Sequence, residues 1–528
     1  MCLNLPLCYK RGVRLPPRPA RACIAITILG ILGVTALLWT TRGGIGISPD
    51  SLVYIDAAGS LLSGQGFVEH ETSGEQVPLV HPPGYPLLLA LTKSLGFTIL
   101  SGARWLNALL FGLNIALVGI LIVRSTGGAF IPGVLGSLLM LTSSNMLSSH
   151  AWALSEAPFL FFGLLGMGLL AAYVEHPTLP RFYGAVAAVG LAFSTRYVGV
   201  ALVVAGFVGL LFLPSRRDLR RRVGDAVLFG ALTSLPVALF VTRNRSARGI
   251  VTPSFLGLAG KQMWDGVITV SCWLLPEAVP AFPRVTFLAL VAGLGLMAAL
   301  RIASEGRGKG VVERTRSPIP IVLAIFVVAH CLALLGCIVF VASDISFDSR
   351  YLLPAQEAMF ILVLWLGYEW FSSPGTSRLY RAATALVCVA IVASYAARST
   401  RYAVRARRGL GYANVDLAAS SIFQTVRALP PQLTVFSNKP DAIHYFTGRA
   451  VLAVPAKSDL HSGSPNQRFE QEMTSLKQLL EDDRAVVVYL RRSGGAYMVS
   501  EEELTRRLPV RLLETSAEGS IYGGSIAK

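Results

Sequence analysis

Long apolar runs recur along most of this chain, and they constrain its fold more than any other feature. An α-helix needs about 20 mostly apolar residues to cross a bilayer. Candidate runs of about this length lie at 22–41, 105–123, 129–148, 152–174, 182–195, 197–213, 226–242, 285–300, 318–342, 352–371 and 380–396. Only 15% of the 528 residues are charged, against about 25% in soluble proteins. The pattern predicts a polytopic α-helical membrane protein with about eleven transmembrane helices, and it excludes a soluble enzyme, a disordered chain and a coiled coil.

The net charge of +17 is best explained by membrane orientation. Lysines and arginines cluster before the first run and in the loops after residues 213 and 300, and short cytoplasmic loops carry such an excess. All three clusters lie on one side only if the segment 82–98 does not span, so we predict an interfacial or re-entrant helix there. Residues 1–21 then form a cytoplasmic basic N-terminus, and the first run is an uncleaved span.

This topology places 42–104, a long first loop, on the outer side, together with 243–284 and 343–350. Residues 51–63 of the first loop have helical apolar spacing and are predicted to lie on the membrane surface. The membrane domain covers 22–397.

The composition changes near residue 398. Short apolar strands alternate with amphipathic helices from there on, which predicts a small extracytoplasmic α/β domain over 398–528. The seven cysteines contain no CxxC pair, so neither a disulfide framework nor a zinc site is predicted. No cluster has metal-ligand spacing, and no basic patch with interleaved aromatics indicates nucleic-acid binding.

Asp50, at the start of the first-loop helix, is a candidate catalytic base. The alternative is a helix N-cap, because Pro-Asp-Ser before an apolar-periodic stretch serves that purpose. Tyr54 lies four residues on, so it shares a helical face with Asp50. Asp56 is six residues on and faces elsewhere, which argues against a carboxylate dyad.

Further charged and aromatic residues gather near the outer ends of the predicted spans, where ionisable groups are costly and often functional. A turn, HPPGYP, carries His81 and Tyr85, either as a structural corner or as a wall of a site. The remaining candidates are Glu156, Arg196, Arg243, Arg245, Arg350 and Tyr351. Each could instead snorkel or pair with another helix, and Arg350 could either hold an anionic head group or pair with Asp348. Glu357, further in, is ambiguous.

In its segments SPDSLVYIDAAGSLLSGQGF, HPPGYPLLLAL, LSEAPFLFF, LAFSTRYVGVALV, PVALFVTRNRSARG and DSRYLLP, the chain resembles the bacterial members of the dolichyl-phosphate-mannose–protein mannosyltransferase-like family, glycosyltransferase family 39. The tail VFSNKPDAIHYFTGRAVLAVP looks like the outer tail of such proteins. The resemblance runs from about residue 25 to about residue 460. It implies the GT-C membrane fold.

The resemblance also implies an activity, the transfer of a sugar from a polyprenyl-phosphate carrier at the outer face of a bacterial cytoplasmic membrane. Asp50 corresponds to the first-loop general base. Arg243 and Arg350, with Arg196 third, correspond to the groups that hold the carrier phosphate. Tyr54, His81, Tyr85, Glu156, Arg245 and Tyr351 are expected to line the site. Ser51 follows Asp50 where many relatives have a second acid, so a metal assisted by that acid is in doubt.

The expected partners are the lipid bilayer, a polyprenyl-phosphate-linked sugar and an acceptor that is a glycan, a lipid or a protein. No cofactor is required for a monophosphate carrier, although a divalent cation is not excluded. The alternatives are a lipid or sugar transporter or flippase, which would be expected to show inverted repeats, and a non-catalytic envelope scaffold.

Overall fold

Bundled α-helices form most of the structure, a computed structural model that describes residues 18–215, 217–245, 259–305, 317–340, 347–372, 378–458, 464–491 and 497–524. Helices of the membrane region are α1 (Arg18–Thr40), α4 (Ile99–Ser125), α5 (Phe130–Thr142), α6 (Ser144–His150), α7 (Glu156–Glu175), α8 (Leu179–Thr195), α9 (Val200–Phe212), α10 (Leu219–Arg245), α12 (Ala281–Glu305), α13 (Ile319–Phe340), α14 (Leu353–Ser372) and α15 (Arg378–Ala406). Every predicted run coincides with one of these helices or with a pair of them.

By length and apolar composition, fewer helices qualify as membrane spans than the eleven that were predicted. In the described part of the chain, five helices are long and apolar enough to cross a membrane, and a sixth span is formed if α5 and α6 count together. That pair is bent by 59° at a break around Ser143, so the predicted run 129–148 is not one straight helix. The side chain of Ser143 accepts from the backbone of Met146 and caps the second piece.

Glycines let the first two long helices approach closely. A methyl group on Gly30 of α1 would lie 2.8 Å from the carbonyl oxygen of Gly112 in α4, and one on Gly112 would lie 2.6 Å from the carbonyl oxygen of Gly30. Small residues at such crossings are typical of membrane helix packing, where van der Waals contact takes over from the hydrophobic effect.

One end of the bundle, here called the site face, carries the first loop. Helix α2 (Pro49–Leu62) is followed by an antiparallel hairpin, β1 (Val68–His70) and β2 (Gln76–Pro78), and by α3 (Gly84–Ser94). At 11 residues, α3 is about 16 Å long and too short to span, as expected for an interfacial or re-entrant helix. A further helix, α11 (Ala259–Leu274), lies within the predicted outer segment 243–284; the sequence did not predict it.

A five-stranded sheet organises the C-terminal region, in the order β4-β3-β5-β7-β6. The strands are β3 (Thr434–Ser437), β4 (Val451–Ala453), β5 (Ala485–Leu490), β6 (Val510–Thr515) and β7 (Gly519–Gly524). The helices are α16 (Val415–Ala418), α17 (Ser421–Ala428), α18 (Pro440–Thr447), α19 (Phe469–Glu481) and α20 (Glu501–Arg507). The strands predicted from the runs LTVFS, AVLAV and AVVVYL and the helices predicted in DAIHYFTG, QRFEQEMTSLKQLLEDD and SEEELTRRL are present, whereas the β6–β7 hairpin was not predicted.

Strand β5 is buried along its whole length, because helices cover both faces of the sheet. Val486 and Val488 pack in a core with α17 and α18, while Val487 packs in a second core with α19 and α20. Alternate side chains of a strand point to opposite faces, so a continuous apolar run is what this position requires.

The C-terminal domain contacts the first loop. The backbone N–H of Ile47 donates to Leu410 at 3.2 Å, and Tyr412 donates back to Ile47 at 2.9 Å. Val451, on the edge strand β4, donates to the carbonyl of Thr72 in the hairpin at 2.8 Å. Helix α15 continues through residue 398 to Ala406, so it links the bundle directly to this domain at the site face.

Candidate active site

Asp50 lies in the first turn of α2 but does not cap it. Ser48 is the N-cap, its hydroxyl accepts from the backbone of Ser51, and the Ser51 hydroxyl accepts from the backbone of Ser48. Pro49 takes the first helical position, where its missing N–H costs nothing. The cap interpretation of Asp50 is therefore wrong, and the helix cap uses neither of its carboxylate oxygens.

Arg196 lies at a break between helices α8 and α9. It ends α8 in an extended conformation, and a short 3₁₀ turn at Tyr197–Gly199 leads into α9. Gly199 packs so tightly that a methyl group there would lie 2.6 Å from the Cα of Phe193. The Tyr197 hydroxyl donates to the carbonyl of Val80 at 2.8 Å, which ties this break to the first loop.

Arg350 precedes α14 in a turn that Asp348 organises. One carboxylate oxygen of Asp348 accepts from the backbone N–H groups of Arg350 at 2.8 Å and Tyr351 at 3.1 Å. Because Asp348 is engaged with the backbone, it leaves the guanidinium of Arg350 free to reach elsewhere. The alternative of a side-chain pair between Asp348 and Arg350 is not what the structure shows.

Glu156 is the centre of the site. It begins α7 and is 3% exposed. One carboxylate oxygen accepts from Arg196 at 2.5 Å and also from Arg350. On its far side Arg350 donates to Asp50 at 2.9 Å. The four residues thus form a continuous chain of alternating charge, Asp50–Arg350–Glu156–Arg196, here called the charge chain, whose formal charge sums to zero.

The electrostatics of the charge chain favour permanent ionisation of Arg350. Burial works to lower its pKa, but the negative charges and hydrogen bonds of Glu156 and Asp50 outweigh burial and hold the pKa above its ordinary value. Arg350 is thus a fixed cation. A guanidinium held in this way can stabilise negative charge that develops on a bound group.

Aromatic side chains form a wall behind Asp50. Tyr54 is buried, its hydroxyl lies 3.2 Å from the Ser155 hydroxyl, and burial raises its pKa to about 12. The rings of His81 and Tyr85 each meet the Tyr54 ring edge-on, with centroids 5.2 Å apart. Tyr85 is fully buried, so it supports the wall from behind.

Gly84 lets this wall close against the helix break. A methyl group there would lie 2.5 Å from the carbonyl oxygen of Ser194, at the end of α8. The Pro-Pro-Gly-Tyr turn is therefore both a structural corner and part of the site's wall, the two alternatives that the sequence left open.

A small cavity adjoins the charge chain; it is lined by Glu156, Phe159, Leu160, Arg196, Val198, Arg350, Tyr351, Leu353 and Pro354. The guanidinium of Arg196 lies over the Tyr351 ring, 5.8 Å from its centroid. A second small cavity shares Phe159, Leu160 and Pro354 with the first, and Glu357 is the one charged residue of its otherwise apolar lining. The first cavity therefore differs from the second in its charged residues, Glu156, Arg196 and Arg350, while apolar side chains form most of both linings.

Two predicted site residues stand apart from the charge chain. Arg243, near the end of α10, lies over the ring of Phe67 at 5.9 Å from its centroid, beside Gly66, so it contacts the first loop but not Glu156 or Asp50. Arg245 is the last residue of α10, and its side chain lies outside what the structure describes. Asp56, as expected, faces away and accepts from the backbone of His70 at 2.6 Å.

No three histidine, cysteine, aspartate or glutamate side chains of the described residues form a group that could hold a metal ion. The two carboxylates nearest the cavity are each engaged with arginine instead.

Sequence reasoning missed the hub role of Glu156 and the contribution of Ser155. A carboxylate at membrane depth must be paired, which did signal Glu156 as a site residue. Its partners could not be predicted from the sequence, because Arg350 lies 194 residues away along the chain.

A family model supports the resemblance noted from the sequence. The model described as dolichyl-phosphate-mannose-protein mannosyltransferase matches residues 80–240, the part that holds His81, Glu156 and Arg196. No curated protein matches the sequence.

Solved structures share the fold across nearly the whole chain. ArnT from Cupriavidus metallidurans bound to undecaprenyl phosphate is 13% identical, with a TM-score of 0.52, over 95% of this chain and 98% of that one. The archaeal oligosaccharyltransferase AglB from Archaeoglobus fulgidus, in complex with an inhibitory peptide and a dolichol-phosphate, is 12% identical, with a TM-score of 0.53, over 96% and 74%. The arabinofuranosyltransferase AftD from Mycobacteria is 12% identical, with a TM-score of 0.58. The match covers 95% of this chain but 40% of the AftD chain.

At these identities the likeness concerns the fold. The chain has the architecture of GT-C membrane glycosyltransferases, with a small C-terminal sheet domain. The predicted fold class is confirmed, and the family model and the structures together support a glycosyltransferase.

Proposed function

We propose that this protein transfers a sugar from a polyprenyl-phosphate carrier to an acceptor at the outer face of a bacterial cytoplasmic membrane. The observation that carries the proposal is the charge chain beside two adjoining cavities. The two arginines that line the first cavity suit a phosphate, and the apolar side chains that line both cavities suit the first units of a prenyl chain. The solved structures with bound undecaprenyl phosphate and dolichol-phosphate support a carrier of this kind.

Arg196 and Arg350 are the proposed ligands of the carrier phosphate. Guanidinium groups bind phosphate through paired N–H donors, and Glu156 fixes both groups from behind. Arg350 now donates to Asp50 at 2.9 Å; a bound phosphate would take those donors and release Asp50. Arg243 stays a further candidate for the phosphate, because it extends over the same first loop that carries Asp50.

Asp50 is the proposed general base. It accepts the proton of an acceptor hydroxyl while the acceptor oxygen bonds to the anomeric carbon of the sugar. The bond from that carbon to the phosphate oxygen breaks, and the electron pair leaves with the phosphate. The arginines stabilise the charge that develops on this leaving group. Attack from the face opposite the phosphate inverts the anomeric carbon.

The test measures release of free polyprenyl phosphate from a radiolabelled polyprenyl-phosphate hexose by purified protein, with a crude envelope extract as the source of acceptor. A positioned general base contributes about 100-fold or more to rate, so Asp50→Asn should reduce release by at least that factor. The donors to compare carry mannose, glucose or aminoarabinose.

Asp56→Asn is a matched control, since Asp56 lies on the same helix and its side chain is 38% exposed, the same as that of Asp50. It should keep full activity. Equal release by wild type and Asp50→Asn would remove Asp50 from the mechanism. If wild type binds none of the carriers in a direct binding assay, the lipid-linked donor is wrong.

A further inference from the structure

A second pair of arginines lies near the site face, between the end of α11, the start of α12 and α15. Arg284, in the first turn of α12, is 7% exposed and donates to the sulfur of Cys272. Arg398, in α15, donates to the backbone carbonyl of Cys272 at 2.8 Å. Both guanidinium groups therefore meet at one residue in the last turn of α11.

This basic pair differs from Arg196 and Arg350 in its charge balance. Glu156 and Asp50 neutralise the arginines of the charge chain, whereas no carboxylate of the described residues forms an ion pair with Arg284 or Arg398. Glu277, in the loop between α11 and α12, is exposed and acts on Cys272 only through its field. A charge removed from water without a counter-ion is costly, so the buried Arg284 and the partly buried Arg398, neither in an ion pair among the described residues, point to a missing anion.

Three hydrogen-bond donors around Cys272 also lack acceptors. They are Nε of Arg284, Nε of Arg398 and Nε1 of Trp273, each buried without a partner among the described residues. Native proteins satisfy the great majority of buried polar groups. Three unpaired donors on neighbouring residues match a ligand with several acceptor oxygens and no protons to donate.

The surroundings hold these donors in place. The Tyr395 hydroxyl donates to the carbonyl of Trp273 at 2.5 Å, and the Arg398 guanidinium lies over the Tyr395 ring, 4.7 Å from its centroid. Ser399, next to Arg398, donates to the carbonyl of Thr142 at 2.6 Å. Donors fixed before a ligand arrives lose little conformational entropy when they bind it.

We infer that Arg284, Arg398 and Trp273 form a second anion site that binds the phosphate group of a membrane amphiphile. Phosphate offers the several oxygens that the three donors need, and arginine binds it through its planar fork. The position of the site near the end of the bundle, at the loop between α11 and α12, is where lipid head groups lie. Binding there does not require the transfer reaction.

The first test measures binding of radiolabelled dioleoyl phosphatidic acid to the full-length protein in detergent, with unlabelled dioleoylglycerol as the phosphate-free competitor. The double variant Arg284→Gln/Arg398→Gln should bind about tenfold more weakly or worse, because it loses the charge-assisted hydrogen bonds of both guanidinium groups. The control is Arg124→Gln, in the last turn of α4 and outside the proposed site, which breaks an ion pair with Glu175. It should bind as wild type does. A third variant, Arg350→Gln, shows whether phosphatidic acid binds at Arg196 and Arg350 instead.

Unchanged affinity in the double variant, or a loss confined to Arg350→Gln, would overturn the inference. Displacement of the lipid by millimolar inorganic phosphate would assign the site to free phosphate, and displacement by phosphatidic acid alone would assign it to a lipid head group.

The second test uses the unaltered chain, so it does not depend on a variant that folds. Cys272 lies between the two arginines, and a bound phosphate should slow its alkylation by N-ethylmaleimide, measured by mass spectrometry. Cys23, exposed on α1, is the internal control and should react at a constant rate. Equal alkylation of Cys272 with and without phosphatidic acid would contradict the inference.

Discussion

Replacing Glu156 with glutamine should show that this residue holds the two arginines in place, a role distinct from the proton transfer proposed for Asp50. Glutamine keeps the shape of the side chain but removes the charge that two arginines share. The residue is 3% exposed, and the side chain of Arg196 is 12% exposed, so this end of the charge chain is shielded from water. Arg350 and Asp50 lie further out, with exposures of 36% and 38%.

The expected loss follows from these exposures. Removing one partner of a fully buried ion pair costs about 3–5 kcal/mol, because a buried charge is left without compensation. The outer half of the charge chain is screened by solvent, so we expect a loss at the low end, about 3 kcal/mol in the free energy of unfolding. Asp50→Asn removes only a half-exposed pair and should cost less than about 1 kcal/mol.

Thermal unfolding in detergent, followed by intrinsic tryptophan fluorescence, measures both variants beside wild type. Glu156→Gln should lower the melting temperature by several degrees and weaken carrier binding, since Arg196 and Arg350 lose their common support. Asp50→Asn should unfold close to wild type and bind the carrier, yet fail to release it. If the two variants lose the same stability, or if Asp50→Asn unfolds first, the description of Glu156 as the buried support of the site is wrong.

Further substitutions test single contacts. Arg196→Lys and Arg350→Lys should each weaken carrier binding about tenfold in a direct binding assay, because lysine keeps the charge but lacks the planar fork. Ser48→Ala should lower the free energy of unfolding by about 1 kcal/mol through loss of the α2 cap, with Ser63→Ala at the other end of the helix as the comparison. Tyr54→Phe should cost about 1 kcal/mol through its bond to Ser155, and an unchanged melting temperature would exclude that bond. Glu357→Met should raise the melting temperature, because one oxygen of this buried carboxyl has no partner and removing it ends the cost of burying it.

The sequence predicted what depends on local periodicity. Apolar runs marked every membrane helix, and the alternation of strands and amphipathic helices marked most of the C-terminal domain. The bend at Ser143 was missed because a run of apolar residues looks the same whether the helix is straight or broken. The β6–β7 hairpin was missed because Val510–Thr515 includes Arg511 and Glu514, which dilute the apolar pattern of an edge strand.

The partners within the site could not be predicted in the same way. Asp50, Glu156, Arg196 and Arg350 were each identified as candidates, but their order in the charge chain depends on which helix ends meet, and no local pattern encodes that. The basic pair at Cys272 escaped notice for a related reason. Arg284 lies in a predicted outer segment and Arg398 just past the last predicted span, and no local pattern connects the two.

The sequence alone could have shown that Ser48, and not Asp50, caps α2. Proline favours the first helical position, so Pro49 places the cap at Ser48 and not at Asp50. Ser51 then completes the cap with Ser48. Because Ser48 and Ser51 satisfy the cap between them, the carboxylate of Asp50 is left for Arg350 and for an acceptor hydroxyl. Chelation of divalent cations tests this argument in the unaltered chain: sugar transfer that is unchanged by a chelator would show that Asp50 acts without a metal-assisting second acid.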